Sequence, residues 1–158
     1  MSVHQPNHQR RSGTAAVELA ICLPFLLVIV MGIWEIGRMV TVQQLIANAA
    51  REGGRQASAG QASNASVRQY VVNYLNMNGL TGVNLSMVTM ANLTASARSE
   101  PPTANQLDQF RVTVTVPYST IRWSTLAQIT STTTITAAAD WYSTKDLPVI
   151  VPNVIPTN

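Results

Sequence analysis

The apolar positions of the chain follow three successive patterns. From Leu19 to Trp34, sixteen residues run without a charge, LAICLPFLLVIVMGIW. Extended back to Thr14 the stretch has 21 residues, with Glu18 its only charge. As a helix rising ~1.5 Å per residue it spans roughly 32 Å, close to the ~30 Å core of a bilayer. A core helix buried on all sides is the alternative, but so small a chain has little material to cover it. Pro24 removes a backbone donor and predicts a kink near Ala20. Beyond the bilayer stretch, Val42, Leu45, Ile46, Ala49 and Gly53 recur at helical spacing, which predicts an amphipathic continuation of the helix. Ala49, Gly53 and Ala57 are small and four apart, so a second element can approach closely. The chain's own sheet is favoured over a partner as that element. Gly53-Gly54 predicts a local end or loosening of the helix.

A polar break from Gly60 to Ala65 follows. Ser66 is placed to cap a second helix from Val67 to about Met77, with Val67, Tyr70, Val71, Tyr74 and Leu75 as its core stripe. Asn78-Gly79 stops it. Three strand signals come next. Val83, Leu85 and Met87 alternate with Asn84, Ser86 and Val88. Phe110, Val112, Val114 and Val116 alternate strictly with Arg111, Thr113 and Thr115, and Pro117 closes that run. The third, Ile129 to Trp141, is rich in threonine. A loop from about Ala91 to Asp108 separates the first two. Tyr118 to Leu126 reads as a short helix or a surface loop carrying Trp123. The tail from Pro148 to Asn158 reads as docked in extended form or loose. The predicted fold class is therefore α+β: a long N-terminal transmembrane helix continuing into an amphipathic helix, then a small three-stranded antiparallel sheet packed on helix. The expected division is a basic leader over 1–13, a transmembrane helix over 14–37, and a helical extension with a small α+β domain over 38–158.

Charge sharpens the topology. Only 11% of residues are charged, under half the ~25% of a typical soluble domain. Net charge is +3 and the one lysine is Lys145, while 17 Thr and 12 Ser supply polarity. A general nucleic-acid binder would need a clustered basic face, and a disordered chain would be less apolar. Arg10 and Arg11 precede the apolar stretch with no acid beside them, which keeps that end in the cytoplasm. Glu35 and Arg38 lie three apart at the far flank and are placed to pair as an interfacial anchor. A cleaved secretory signal would need a small-residue site soon after the apolar core, and none stands there. Glu18 lies about 6 Å deep if Thr14 marks the interface. Snorkelling of its carboxylate is the bland account; a partner or a function is the other.

Catalytic chemistry is poorly served. Both histidines, His4 and His8, lie in the leader, so the rest of the chain lacks the commonest general base and metal ligand. Cys22 falls inside the apolar stretch and reads as a small hydrophobe. Lys145 reads as solvated or paired with Asp146. The acids Glu52, Glu100, Asp108, Asp140 and Asp146 show no metal-loop spacing and no paired-carboxylate motif. The expectation is a non-enzyme with no cofactor, no metal, no nucleic acid and no small-molecule substrate.

Arg10-Arg11-Ser12-Gly13-Thr14-Ala15-Ala16-Val17-Glu18, followed by the apolar run, resembles a type IV prepilin signal. The resemblance implies a cut between Gly13 and Thr14 by a prepilin peptidase, leaving Glu18 as the fifth residue. Glycine lets a protease approach the backbone closely. The new ammonium on Thr14 can neutralise a neighbouring subunit's Glu18, more strongly in low dielectric. Three stretches narrow the resemblance to the TadE-like family, pilin-like proteins of the tight-adherence (Flp) pilus machinery. They are Gly13 to Ala20 with Pro24, Gly32 to Arg38, and Ala47 to Ala57. Leu19 departs from the aromatic residue usual after the glutamate. Membership implies a minor pilin or pseudopilin in the bacterial inner membrane, N-terminus cytoplasmic and C-terminal domain periplasmic. Its partners would be membrane lipid, prepilin peptidase and other pilin-like subunits. An unprocessed single-pass scaffold of the same complex is the alternative.

Overall fold

Helix α1 runs from Gln9 to Ser58 and carries Pro24 inside it. The computed structural model describes residues 9–121 and 133–145. The chain divides into two units, Met1–Val40 and Thr41–Asn158. In the first unit the described side chains of α1 are almost all exposed, including every large apolar one from Val17 to Ile36.

In the second unit the same helix changes character. Val42, Ile46, Ala49, Ala50 and Ala57 are buried. The expected break at Gly53-Gly54 does not occur: α1 continues to Ser58. The two glycines leave room for other side chains, and that packing holds a sequence that glycine propensity alone would loosen. Helix α2 spans Asn64–Met77, three residues earlier than its sequence reading. Its cap is Ser63, not Ser66. Ser63 is extended (φ −69°, ψ 160°), and its hydroxyl accepts from the Ser66 N–H. Val67, Val71, Val72 and Leu75 form the buried stripe. Tyr70, expected in that stripe, is exposed, and its hydroxyl donates to Glu52 at 3.1 Å.

The sheet has three antiparallel strands in the order β1-β2-β3. Strand β2, Gln109–Pro117, is central and coincides with the cleanest alternation in the sequence. Its Phe110, Val112, Val114 and Val116 are fully buried. Strand β1 is Val88–Asn92, later than expected. The Asn84 carboxamide accepts from the Ser86 N–H and caps a 3-10 turn over Leu85–Met87, which takes the place of the predicted strand. The expected loop correspondingly loses Ala91 and Asn92 to β1 and contains 3-10 turns at Ser96–Arg98 and Pro101–Thr103. Strand β3 is Thr134–Tyr142; the predicted start at 129–132 lies outside the described residues. Tyr118–Ile121 forms a short helix, α3, and the remainder of the 118–126 segment lies outside them too, as do residues 1–8 and the tail. Phe110 pairs with Asn92 on one side and Trp141 on the other. Arg111, Thr113 and Thr115 take the opposite face.

Candidate functional site

The residues singled out in the sequence fall into two groups, one in each unit. Gly13, Thr14 and Glu18 all lie within α1 and are exposed. A Cβ added at Gly13 would meet nothing within 4 Å, so its backbone is open to approach. The Gly13–Thr14 bond is held in helical backbone, and a protease that reads an extended strand must unwind it first. Glycine lowers that barrier, because it weakens a helix by about 1 kcal/mol relative to alanine. Glu18 follows one turn after Thr14, on the same side of the helix. The helix around it is long and apolar enough to cross a membrane, and its most apolar window is not buried. Phe25 and Trp34 are 70% and 66% exposed. A soluble core helix would hide such side chains; here they require an apolar solvent or a partner. Glu35 is half-buried and Arg38 exposed, three positions apart on α1.

The second group is Ala49, Gly53 and Ala57. All three are buried inside the Thr41–Asn158 unit. A Cβ on Gly53 would lie 2.5 Å from Val71 Cγ2 on α2 and 3.4 Å from Val112 Cγ1 on β2. One on Gly54 would overlap the Trp141 ring on β3. The small-residue face is thus filled by the chain's own helix and sheet. Sequence reasoning missed Ala50 and Gly54, which form a second four-residue step beside the first. The signal was present but was read only as a helix breaker.

Among the described residues of this unit there are three ion pairs. Glu52 accepts from Arg55 and Tyr70, linking α1 to α2, and these contacts lower its carboxyl pKa. Arg111 binds Asp140 through two 2.7 Å bonds across β2 and β3. Arg98 holds the nearly buried Asp108 at 2.9 Å, while the Asn105 N–H and the Asn92 amide also donate to it. The Arg98 guanidinium, then Asn105 and Asn92, push Asp108 far below the ordinary aspartate range, against the opposing effect of burial. Each carboxylate is spent on a structural contact. Among the described residues no group of three or more His, Cys, Asp and Glu is placed to hold a metal ion. A shallow depression lined by Ser66, Gln69, Tyr70, Asn73 and Leu85 carries no ionisable group other than the tyrosine.

Residues 13–55 match the family model described as TadE-like protein. The match begins at the open glycine, covers the apolar stretch of α1, and ends within its small-residue face. The family that this model describes is associated with tight-adherence pili. No curated protein and no solved structure matches the chain significantly.

Proposed function

We propose that the chain is a minor pilin or pseudopilin of a tight-adherence (Flp) pilus system. A prepilin peptidase cuts it after Gly13. Residues 14–37 then hold it in the bacterial inner membrane, N-terminus cytoplasmic, with the α+β domain in the periplasm or carried into the fibre. The carrying observation is that the family match starts at Gly13 and runs through a helix whose apolar side chains are exposed from Val17 onward. Glu18 sets the register of the subunit against a neighbour, its charge met by the ammonium created on Thr14. Because Ala49, Gly53 and Ala57 are filled internally, contacts with other pilin-like subunits fall to the apolar half of α1 and to the domain's outer surface.

N-terminal sequencing of protein from a host with the peptidase is expected to begin at Thr14. An intact Met1 or Ser2 would favour the second reading, an unprocessed single-pass scaffold, which the helical backbone at Gly13–Thr14 also favours. The two readings separate again at Glu18→Ala. Pilus assembly fails under the first and survives under the second.

A further inference from the structure

The two edges of the sheet differ. Strand β1 ends it on one side after five residues, and its outward Val88 carbonyl is taken by the Arg68 guanidinium at 2.7 Å. Strand β3 bounds the other side with nine residues, each paired with β2 in unbroken register. Just beyond either end of that register, the Tyr118 N–H donates to the Thr133 carbonyl and the Ser143 N–H to the Asp108 carbonyl, both at 2.8 Å. Antiparallel bonding alternates, so Ile135, Ala137, Ala139 and Trp141 exchange bonds with β2. The N–H and C=O groups of Thr134, Thr136, Ala138, Asp140 and Tyr142 point away from it, and among the described residues none of them has a hydrogen-bond partner. The side chains of these residues are exposed. Folded proteins ordinarily blunt such an edge with lysine, proline, a bulge or a very short strand. Strand β3 has none of these, and its one charge, Asp140, is neutralised by Arg111.

We propose that β3 pairs antiparallel with the β3 of a second copy, about a two-fold axis at Ala138, joining two three-stranded sheets into one. The strand's own sequence selects that occupant and that register. With Ala138 opposite its own counterpart, every residue of β3 finds a partner, and each outward N–H meets an outward C=O. Thr136 then lies opposite the partner's Asp140, where a hydroxyl can donate to a carboxylate, and Thr134 lies opposite the partner's Tyr142. On the core side Ala137 meets the partner's Ala139, and Ile135 meets the partner's Trp141, a favourable cross-strand pair of β-branched and aromatic side chains. Ala137, Ala139 and Trp141 are only half-buried in the single chain, so the added strand also covers apolar surface. The two Asp140 carboxylates stand four steps apart along the strand, roughly 14 Å at ~3.4 Å per residue. Moving the axis to Asp140 would set them face to face, which is destabilising, and would leave outward groups at one end unpaired. These matches are properties of the strand against itself, which favours a second copy over an unrelated chain. Main-chain bonds of this kind supply the affinity of strand addition. This inference stands independently of the pilin reading.

The test uses the full chain in detergent micelles, with Cys22→Ser as background. Copper-phenanthroline oxidation of Ala138→Cys is expected to link two copies, because residues opposed in a hydrogen-bonded pair have Cα atoms ~5.5 Å apart, within reach of a disulfide. Thr134→Cys alone is expected to stay unlinked, its counterpart lying roughly 27 Å away at ~3.4 Å per residue. Mixed with a Tyr142→Cys chain, it is expected to link. No linkage at Ala138→Cys, or an equal yield from Thr134→Cys alone, overturns the proposal. Charge exchange then tests the axis. The Ala138 side chain is exposed and its N–H does not bond β2, so a substitution there leaves the domain's own ladder in place. Ala138→Lys in both chains of the mixed Thr134→Cys and Tyr142→Cys pair is expected to cut the disulfide yield at least tenfold. Ala138→Lys in one chain with Ala138→Glu in the other is expected to restore it. An unchanged yield in the first mixture, or no recovery in the second, overturns pairing about Ala138.

Discussion

Asp108 shows how one side chain can fix a loop. Its carboxylate gathers Arg98, Asn92 and Asn105 around a strand entry that otherwise has no regular structure. Its pKa is depressed in the folded chain, so the folded state binds fewer protons than the unfolded one. The stabilisation is therefore complete above about pH 5 and is lost as pH falls through 3.8, the ordinary aspartate value, toward the folded one. Asp140 and Glu52 are shifted the same way, each chiefly by its arginine. Urea midpoints followed by circular dichroism are expected to fall on acidification below about pH 4. Asp108→Asn should lower the midpoint at neutral pH and flatten its acid limb. At Gly54 the forces oppose each other differently. Alanine is the better helix former by about 1 kcal/mol, yet its methyl would overlap Trp141. Overpacking of this kind costs about 1–3 kcal/mol, so Gly54→Ala should destabilise the domain by thermal melting. Glu52 stands only three residues from Arg55, but the two aspartates looked merely unpatterned, because their arginine partners lie 10 and 29 positions away.

Among the elements, those whose periodicity is strong and local were the ones legible in the sequence. Strand β2 alternates without exception and lies where that pattern puts it. The long helix and the three-stranded antiparallel sheet were equally plain. Boundaries decided by a single side chain were not. Ser63 and Ser66 both suit a helix start, and only the extended backbone at Ser63 separates them. Ser63→Ala is expected to destabilise by about 1 kcal/mol, and Ser66→Ala by clearly less, in paired urea titrations. The shift of β1 has a similar cause. Alternation over 83–88 was real, but Asn84 diverts the backbone into a turn before pairing begins. Tyr70 escaped the buried stripe because its hydroxyl has a charged acceptor in Glu52.

At the scale of the molecule, α1 changes character along its length. Its large apolar residues from Val17 to Ile36 are exposed, whereas those from Val42 onward include fully buried ones. The sequence marked that change through the shift from an unbroken apolar run to helical spacing. Carbonate washing should leave the chain with membranes. Leu27→Arg, near the middle of the run, should reduce the inserted fraction, since a central arginine is disfavoured by about 2.5–3.5 kcal/mol. The candidate site was legible as a motif, from Gly13 through Glu18, because a leader, a glycine and a glutamate stand in a fixed order. What fills the small-residue face was only half legible, since the side chains that meet Gly53 and Gly54 come from distant strands.

The seating of Gly54 against Trp141 also carries a consequence for biogenesis. The helix leaves the ribosome well before the tryptophan that closes over it, which lies on β3. Until β3 has been made and delivered, the helix face that it covers stays wet, and so does Gly54. The domain therefore completes its core only after Trp141 has been made, with contacts that are distant in sequence and slow to form. A product truncated before Trp141 keeps the membrane stretch and the Gly13 region but lacks this closure. Such a product should be cleared by proteases rather than accumulate as a shorter subunit.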